Sequence, residues 1–341
     1  MTPRGRLVAV VAAALAVVVL AVVFVVNRGA EDFPGPGSGG AVVIVVRGDS
    51  LSGIANTLVE AGVVASDQAF LDAAAANPKS QTIGPGRYTM LQGMSGEGAL
   101  ALMLDPKSRA DSRLVLPEGL RLSQSLDTAA QATGIARESF DQALAEPAGL
   151  GIPAWAKDRP EGLLYPASYD LAGDETAPAV LKMLFTRFTQ ASRSLDLESR
   201  AAEMQSDPYT VMIIASLVQA EGHPDDYAKV ARVIYNRLDA GMPLQLDSTT
   251  AYGLGITQLS LTADQLKSDT PYNTYVHRGL PPTPINSPGS QAIEAALAPA
   301  KGRWLYFVTV NPDTGETRFA RNYQKFLRDK AVLQEYLRNH G

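Results

Sequence analysis

Residues 207–247, DPYTVMIIASLVQAEGHPDDYAKVARVIYNRLDAGMPLQLD, decide how the rest of the chain is read. Asp207 offers its carboxylate to the open N–H groups of a helix start, and Pro208 suits the first helical position, where no N–H is needed. From Val211 to Val218 nearly every residue is apolar, the pattern of a helix buried on all sides. Polarity returns abruptly at Gln219 and Glu221, and Gly222 supplies a stop. Glu221 is therefore expected in the last turn of a buried helix, at the negative end of its dipole and beside apolar neighbours. Both disfavour the ionised carboxylate. A carboxylic acid that holds its proton near neutral pH, in the tuned range of roughly pKa 6–7, is what general acid catalysis requires. The same residues also describe a surface glutamate that merely ends a core helix. A second helix is expected over about 225–240, with Val230, Val233, Ile234 and Leu238 inward and Gly241 closing it.

The 341-residue chain has room for two folded domains, and 46% hydrophobic with 19% charged residues is a globular composition. A net charge of −5 without any long Lys/Arg run argues against a nucleic-acid partner. The chain has no Cys, which removes disulfides, thiolate metal sites and a cysteine nucleophile. Its three histidines, His223, His277 and His340, show no metal-ligand spacing, so no metal or other cofactor is expected. The S-x-x-K and G-x-S-x-G signatures of serine nucleophiles are also missing from the sequence.

Leu7 to Val26 is an unbroken apolar run, about the 20 residues that cross a bilayer as a helix. A cleaved signal peptide is the alternative, but its apolar core is normally about 7–15 residues and VVNRGAED offers no clean cleavage site. A permanent single-pass anchor at 7–26 is therefore expected, with the tail 1–6, carrying Arg4 and Arg6, on the cytoplasmic side and everything beyond about residue 27 outside. Residues 27–40, dense in Pro and Gly, read as a flexible linker. The strand-like AVVIVV and the helix of RGDSLSGIANTL begin a small α+β module expected over 41–110, which resembles a LysM-like fold at Val43–Leu58. LysM modules bind N-acetylglucosamine-containing glycans; a plain spacer would look the same. The remainder, 111–341, reads as a mixed α+β domain. It includes one long amphipathic helix at Pro178–Met204, a hairpin around NPDTG and a last helix over about 323–338.

The Pro-rich segment TPYNTYVHRGLPPTPINSPG precludes regular structure, and a long irregular loop inside a domain is usually functional. Tyr272, Asn273 and Tyr275 are candidates for a sugar groove, as stacking platform and amide donor. Alternatively, the tyrosines simply pack a surface loop.

The blocks VVIVVRGDSLSGIA, LPEGLRLSQ, PEGLLYPASY, ASLVQAEG, VARVIYNRLDAGMPLQLDSTTAYG, TPYNTYVHRGLPPTPINSPG and AKGRWLYFV occur in the order found in the endolytic murein transglycosylases, and the chain resembles that YceG-like family along nearly its whole length. The resemblance implies a membrane-anchored peptidoglycan lytic transglycosylase facing the cell wall. Such an enzyme cuts the N-acetylmuramic acid–β-1,4–N-acetylglucosamine bond of nascent glycan strands and leaves 1,6-anhydromuramic ends. It also implies cooperation with penicillin-binding proteins and wall-synthesis complexes. The family's catalytic Glu maps onto Glu221, and its Asn, Gln and Asp of the following blocks map onto Asn236, Gln245 and Asp247 as substrate-positioning groups. Two departures stand out: Gln219 where some relatives have a second Glu, and Thr317-Arg318-Phe319 where many have His-x-Phe. A glycoside hydrolase pairing Glu221 with Asp247, and a non-catalytic wall-binding scaffold, are the competing readings.

Overall fold

The computed structural model describes residues 31–46, 48–109, 113–257 and 261–340. The expected tail and anchor at 1–26 lie outside the described residues. Among the described residues no helix is long and apolar enough to cross a membrane. The chain divides into two compact units, the first running to Ser112 and taking in Asp170–Asp174, the second comprising Arg113–Tyr169 and the residues from Glu175 onward.

In the first unit, β1 (Pro36–Val45) pairs antiparallel with β2 (Gly86–Met94), and between them lie α1 (Leu51–Glu60), α2 (Asp67–Ala76) and a short 3-10 turn; α3 (Gly96–Leu104) follows. Each helix starts where a serine hydroxyl accepts from an N–H three residues on: Ser50 from Gly53, Ser66 from Ala69, Ser95 from Gly98. Val43, Ile54, Leu58, Phe70, Met90 and Leu100 close its core.

The expected linker is corrected here. Pro36–Gly40 belong to β1, pairing Pro36 with Met94 and Ser38 with Gln92, and the register shifts between Ser38 and Ala41. Asp32 Oδ1 accepts from the Gly96 N–H at 3.0 Å, so order begins before the strand. The glycines serve a bulge rather than freedom: Gly37 has φ 82°, and a Cβ there would lie 2.6 Å from Met94 Cγ.

In the second unit, β3 (Arg113–Leu116) leads to α4 (Leu122–Thr133) and α5 (Arg137–Ala145) and pairs with β4 (Ala167–Asp170). The expected long helix is two, α6 (Ala177–Ser194) and α7 (Leu197–Glu203), broken at Asp196 in the left-handed region. The apolar period runs on through Leu197 and Ala201, both buried, so periodicity alone did not reveal the break. Next come α8 (Pro208–Glu221), α9 (Tyr227–Asp239), α10 (Asp247–Gly253) and α11 (Ser290–Leu297). The hairpin β5 (Tyr306–Asn311) and β6 (Glu316–Ala320) and a final helix α12 (Tyr323–His340) complete the chain.

Helix α8 is the axis of this unit. Its Val211–Val218 are all buried, each large apolar side chain contributing roughly 1.5–3 kcal/mol by leaving water, and α9 and α11 pack against it. That burial fixes where its last residue, Glu221, emerges.

Candidate active site

Asp207 caps α8 by accepting from the Thr210 N–H, and the helix ends at Glu221, its Gly222 N–H still bonded to Val218 O at 3.0 Å. Gly222 does not adopt the left-handed stop expected of a glycine. It is extended, at φ −110° and ψ 163°, and its missing side chain matters for space: a Cβ would lie 2.8 Å from the Tyr227 ring. Tyr227, first residue of α9, is thereby seated against the end of α8.

Opposite Glu221 stands the start of α10. Ser248 Oγ donates to Glu221 Oε1 at 2.5 Å, and Asp247 precedes it on the same helix. The irregular loop beyond holds this helix start in place. Thr274 Oγ1 accepts from the Leu246 N–H at 3.0 Å and lies 2.9 Å from Thr249 Oγ1, while Thr274 O accepts from the Gln245 N–H. Tyr275 OH donates to Asp247 Oδ1 at 2.6 Å.

Desolvation pushes the Glu221 carboxyl above the usual carboxylate range, the Ser248 hydroxyl and backbone N–H oppose that rise, and the Asp247 charge adds to it. The Tyr275 phenol is pushed up as well, first by burial and then by Asp247. A carboxyl that holds its proton more tightly than an ordinary glutamate is thus set beside Asp247, which a phenol hydrogen-bonds.

These groups open on a cleft of about 850 Å³. Glu221, Gln245, Asp247 and Tyr275 line it; Asn236, Tyr272 and Asn273 are not among its lining residues. Gln245 is exposed, with its backbone in the left-handed region at φ 53°. The Asn236 amide donates instead to Trp304 O at 2.8 Å and Gly302 O at 3.3 Å, tying α9 to the segment before the hairpin. Asn273 is wholly buried, its Nδ2 on the carbonyls of Leu266 and Ser268 and its Oδ1 accepting from Thr250 Oγ1 and the Tyr275 N–H. Every hydrogen-bonding site of its amide is engaged internally, so it organises the loop and has none left for a sugar. Tyr272 packs against Tyr252, centroids 4.7 Å apart, and its hydroxyl meets Thr283 Oγ1 at 2.9 Å.

Other residues of the cleft escaped the sequence reading. Ser248 is the most telling: it follows Asp247 directly, and a hydroxyl at the second position of a helix carrying a site carboxylate was a readable signal. Arg237, next to Asn236, lines the cleft while donating to the carbonyls of Leu305, Pro243 and Leu244. Glu118 comes from the turn between β3 and α4, Arg121 and Gln124 from the start of α4, and Tyr306, Phe307, Tyr323, Phe326 and Lys330 from the hairpin and α12.

Behind the cleft wall, buried Glu161 accepts from the Leu122 and Gly162 N–H groups on Oε1 and from Tyr252 OH on Oε2 at 2.7 Å. Burial raises its carboxyl above the usual range against the pull of those hydrogen bonds. It anchors the start of α4, on which Gln124 stands, and the adjoining Arg121.

The two departures from the family pattern find local uses. Gln219 accepts from the Gly289 N–H at 2.9 Å and donates to Tyr227 OH at 2.8 Å, a pairing of acceptor and donor that a carboxylate cannot make. On β6, Thr317 meets Thr309 across the hairpin at 3.1 Å, Arg318 pairs with Glu316, and Phe319 packs on Trp304.

The model of the YceG-like family matches residues 43–332. An endolytic murein transglycosylase of Streptococcus pneumoniae serotype 2 (strain D39) is 30% identical over 84% of this chain, and the match covers 57% of the pneumococcal protein. This chain thus spans little more than half the length of that relative. An endolytic murein transglycosylase of Bacillus subtilis strain 168 is 28% identical over 84% of this chain and 82% of its own length. Among solved structures, the crystal structure of a yceG-like protein of Listeria monocytogenes superposes with a TM-score of 0.58 at 26% identity, covering 86% of this chain and 99% of that one.

Proposed function

The chain belongs to the YceG-like family, and from that premise we propose that it is a peptidoglycan lytic transglycosylase with Glu221 as its catalytic acid and base. The observation that carries the assignment is the Glu221 carboxyl, raised by desolvation, hydrogen-bonded by Ser248 and opening on a cleft of about 850 Å³. Protonated, Glu221 delivers its proton to the glycosidic oxygen as the C1–O bond of the muramyl residue breaks. Left as a carboxylate, it takes the proton from the muramyl C6 hydroxyl while O6 bonds to C1, closing the 1,6-anhydro ring. One residue serves both steps, and no water is consumed. Asp247, held by Tyr275, faces the positive charge that develops at the anomeric centre and stabilises it electrostatically.

Hydrolysis is the second reading, supported by the Asp247 charge acting on Glu221. There, Asp247 would activate water or attack C1 itself.

The activity assay uses the full-length chain and uncrosslinked glycan strands. Glu221→Gln removes the proton donor and lowers the rate by about 10²–10⁴, whereas Asp247→Asn leaves Glu221 able to act. Undiminished cleavage by the Glu221→Gln protein would overturn the assignment.

The wider setting belongs to the same proposal. Leu7–Val26 anchors the chain in the cytoplasmic membrane with the catalytic unit outside, near penicillin-binding proteins and wall-synthesis complexes. The first unit, with two helices between paired strands, acts as a LysM-like module beside the same polymer.

A further inference from the structure

Aromatic rings gather on the wall of the cleft built by the C-terminal hairpin and α12. Tyr306 and Phe326 stack with centroids 5.3 Å apart and planes at 27°, and Tyr323 lies 5.8 Å from Tyr306 and 5.9 Å from Phe326. Tyr323, Phe326 and Lys330 recur at spacings of three and four, so they share one face of α12. Packing of α12 onto the hairpin accounts for Tyr306 and Phe326, which are half-buried. It does not account for Tyr323, which is 55% exposed, or for Lys330, which is also exposed, although both line the cleft. The Arg237 guanidinium sits 5.1 Å from the Tyr306 ring centre, and its hydrogen bonds go to neutral carbonyls, so it adds positive charge beneath the same wall.

The two walls of the cleft differ in chemistry. Its acidic residues, Glu118, Glu221 and Asp247, come from other elements, together with Arg121, while the C-terminal wall pairs flat aromatic surface with Lys330 and lies over Arg237 of α9. A pyranose offers an apolar face of C–H groups, and a muramyl residue bears a peptide stem with free carboxylates. We propose that the C-terminal wall is the subsite for a stem-bearing muramyl residue: the sugar face lies on Tyr323 and the Tyr306–Phe326 pair, and a stem carboxylate is met by Lys330. This rests on the proposed function for the nature of the polymer, and it adds which wall reads the stem.

The test measures binding of the full-length Glu221→Gln chain, which holds strands without consuming them, to soluble uncrosslinked glycan strands and to the same strands stripped of peptide by an amidase. Adding Tyr323→Ala weakens binding to both polymers about tenfold, the loss of one aromatic contact surface. Adding Lys330→Glu weakens binding to stem-bearing strands about fivefold and leaves stripped strands unaffected. Lys330 is exposed, so its variant should unfold with its parent, while Tyr323→Ala also gives up ring contacts with Tyr306 and Phe326, so binding is measured well below the unfolding temperature of each variant. Unchanged affinity with Tyr323→Ala, equal losses on both polymers with Lys330→Glu, or no strand binding by the parent would each overturn the subsite. Cleavage by the chain with Glu221 intact is scored separately. Its absence would sink the proposed function, while the binding curves would still decide the subsite.

Discussion

Replacing Ser248 by Ala isolates the environment of Glu221 from its identity. The Ser248 hydroxyl donates to Glu221 Oε1 at 2.5 Å and favours the carboxylate over the acid. A hydrogen bond to a charged group contributes about 1.5–3 kcal/mol. The Ser248 backbone N–H remains and keeps part of that preference, which places the loss near the lower bound. Since about 1.4 kcal/mol corresponds to one pH unit, the alkaline limb of the kcat profile should move upward by about one unit. The direction follows from the mechanism: the first step needs protonated Glu221, and losing a donor to the carboxylate extends the pH range over which the proton is held. The assay follows release of new strand ends by the full-length chain between pH 4 and 9, wild type beside Ser248→Ala, with thermal unfolding as a check on folding. An alkaline limb that stays in place or moves downward would refute Glu221 as the titrating acid.

Three further outcomes follow from the same geometry. Buried Glu161 holds its proton at pH values where the unfolded chain has released it, so its contribution to stability is full below the ordinary carboxylate range and is lost as pH rises through its folded titration. Glu161→Gln should flatten the fall of Tm as pH rises above the ordinary carboxylate range, and an unaltered slope would show that Glu161 is not the source. Gly222→Ala places a methyl group 2.8 Å from the Tyr227 ring with no backbone strain, so the cost is overpacking of about 1–3 kcal/mol, read by urea unfolding. Asn273→Ala removes an amide that satisfies two carbonyls, a hydroxyl and the Tyr275 N–H, and should cost about 3 kcal/mol or more. It should also lower kcat, because Tyr275 loses its hold beside Asp247; a drop in stability with full kcat would contradict that link.

Much of the second unit was legible because burial writes itself into composition. The run from Val211 to Val218 could only be a buried helix, and Asp207, Pro208 and Gly222 marked its ends, which set Glu221 at an edge of the core. Tyr272 and Asn273 fall outside the lining of the cleft, a placement the sequence leaves open because residue type suits a role without stating a direction. An asparagine in a Pro-rich loop serves a sugar or its own backbone equally well, and here the carbonyls of Leu266 and Ser268 claim it. The family resemblance makes Asn236 a positioning group, yet its amide reaches residues more than sixty positions away, a long-range pairing that no local pattern encodes. The glycines of Pro36–Gly40 suggest freedom by composition, yet they supply the backbone angles of a bulged strand. The aromatic wall stayed hidden for a related reason: Tyr306 lies on a strand and Tyr323 and Phe326 on a helix, and only the packing of the two brings the rings together.

The central claim is that one carboxyl group, Glu221, breaks the glycosidic bond and then closes the anhydro ring. The mass of the new ends decides it. Uncrosslinked glycan strands treated with the full-length chain should carry muramyl ends lighter by one water than a reducing sugar, and the Glu221→Gln protein should yield none. Ordinary reducing ends would contradict ring closure and move the chemistry to hydrolysis with Asp247. Anhydro ends from the Glu221→Gln protein would contradict the assignment of the residue itself.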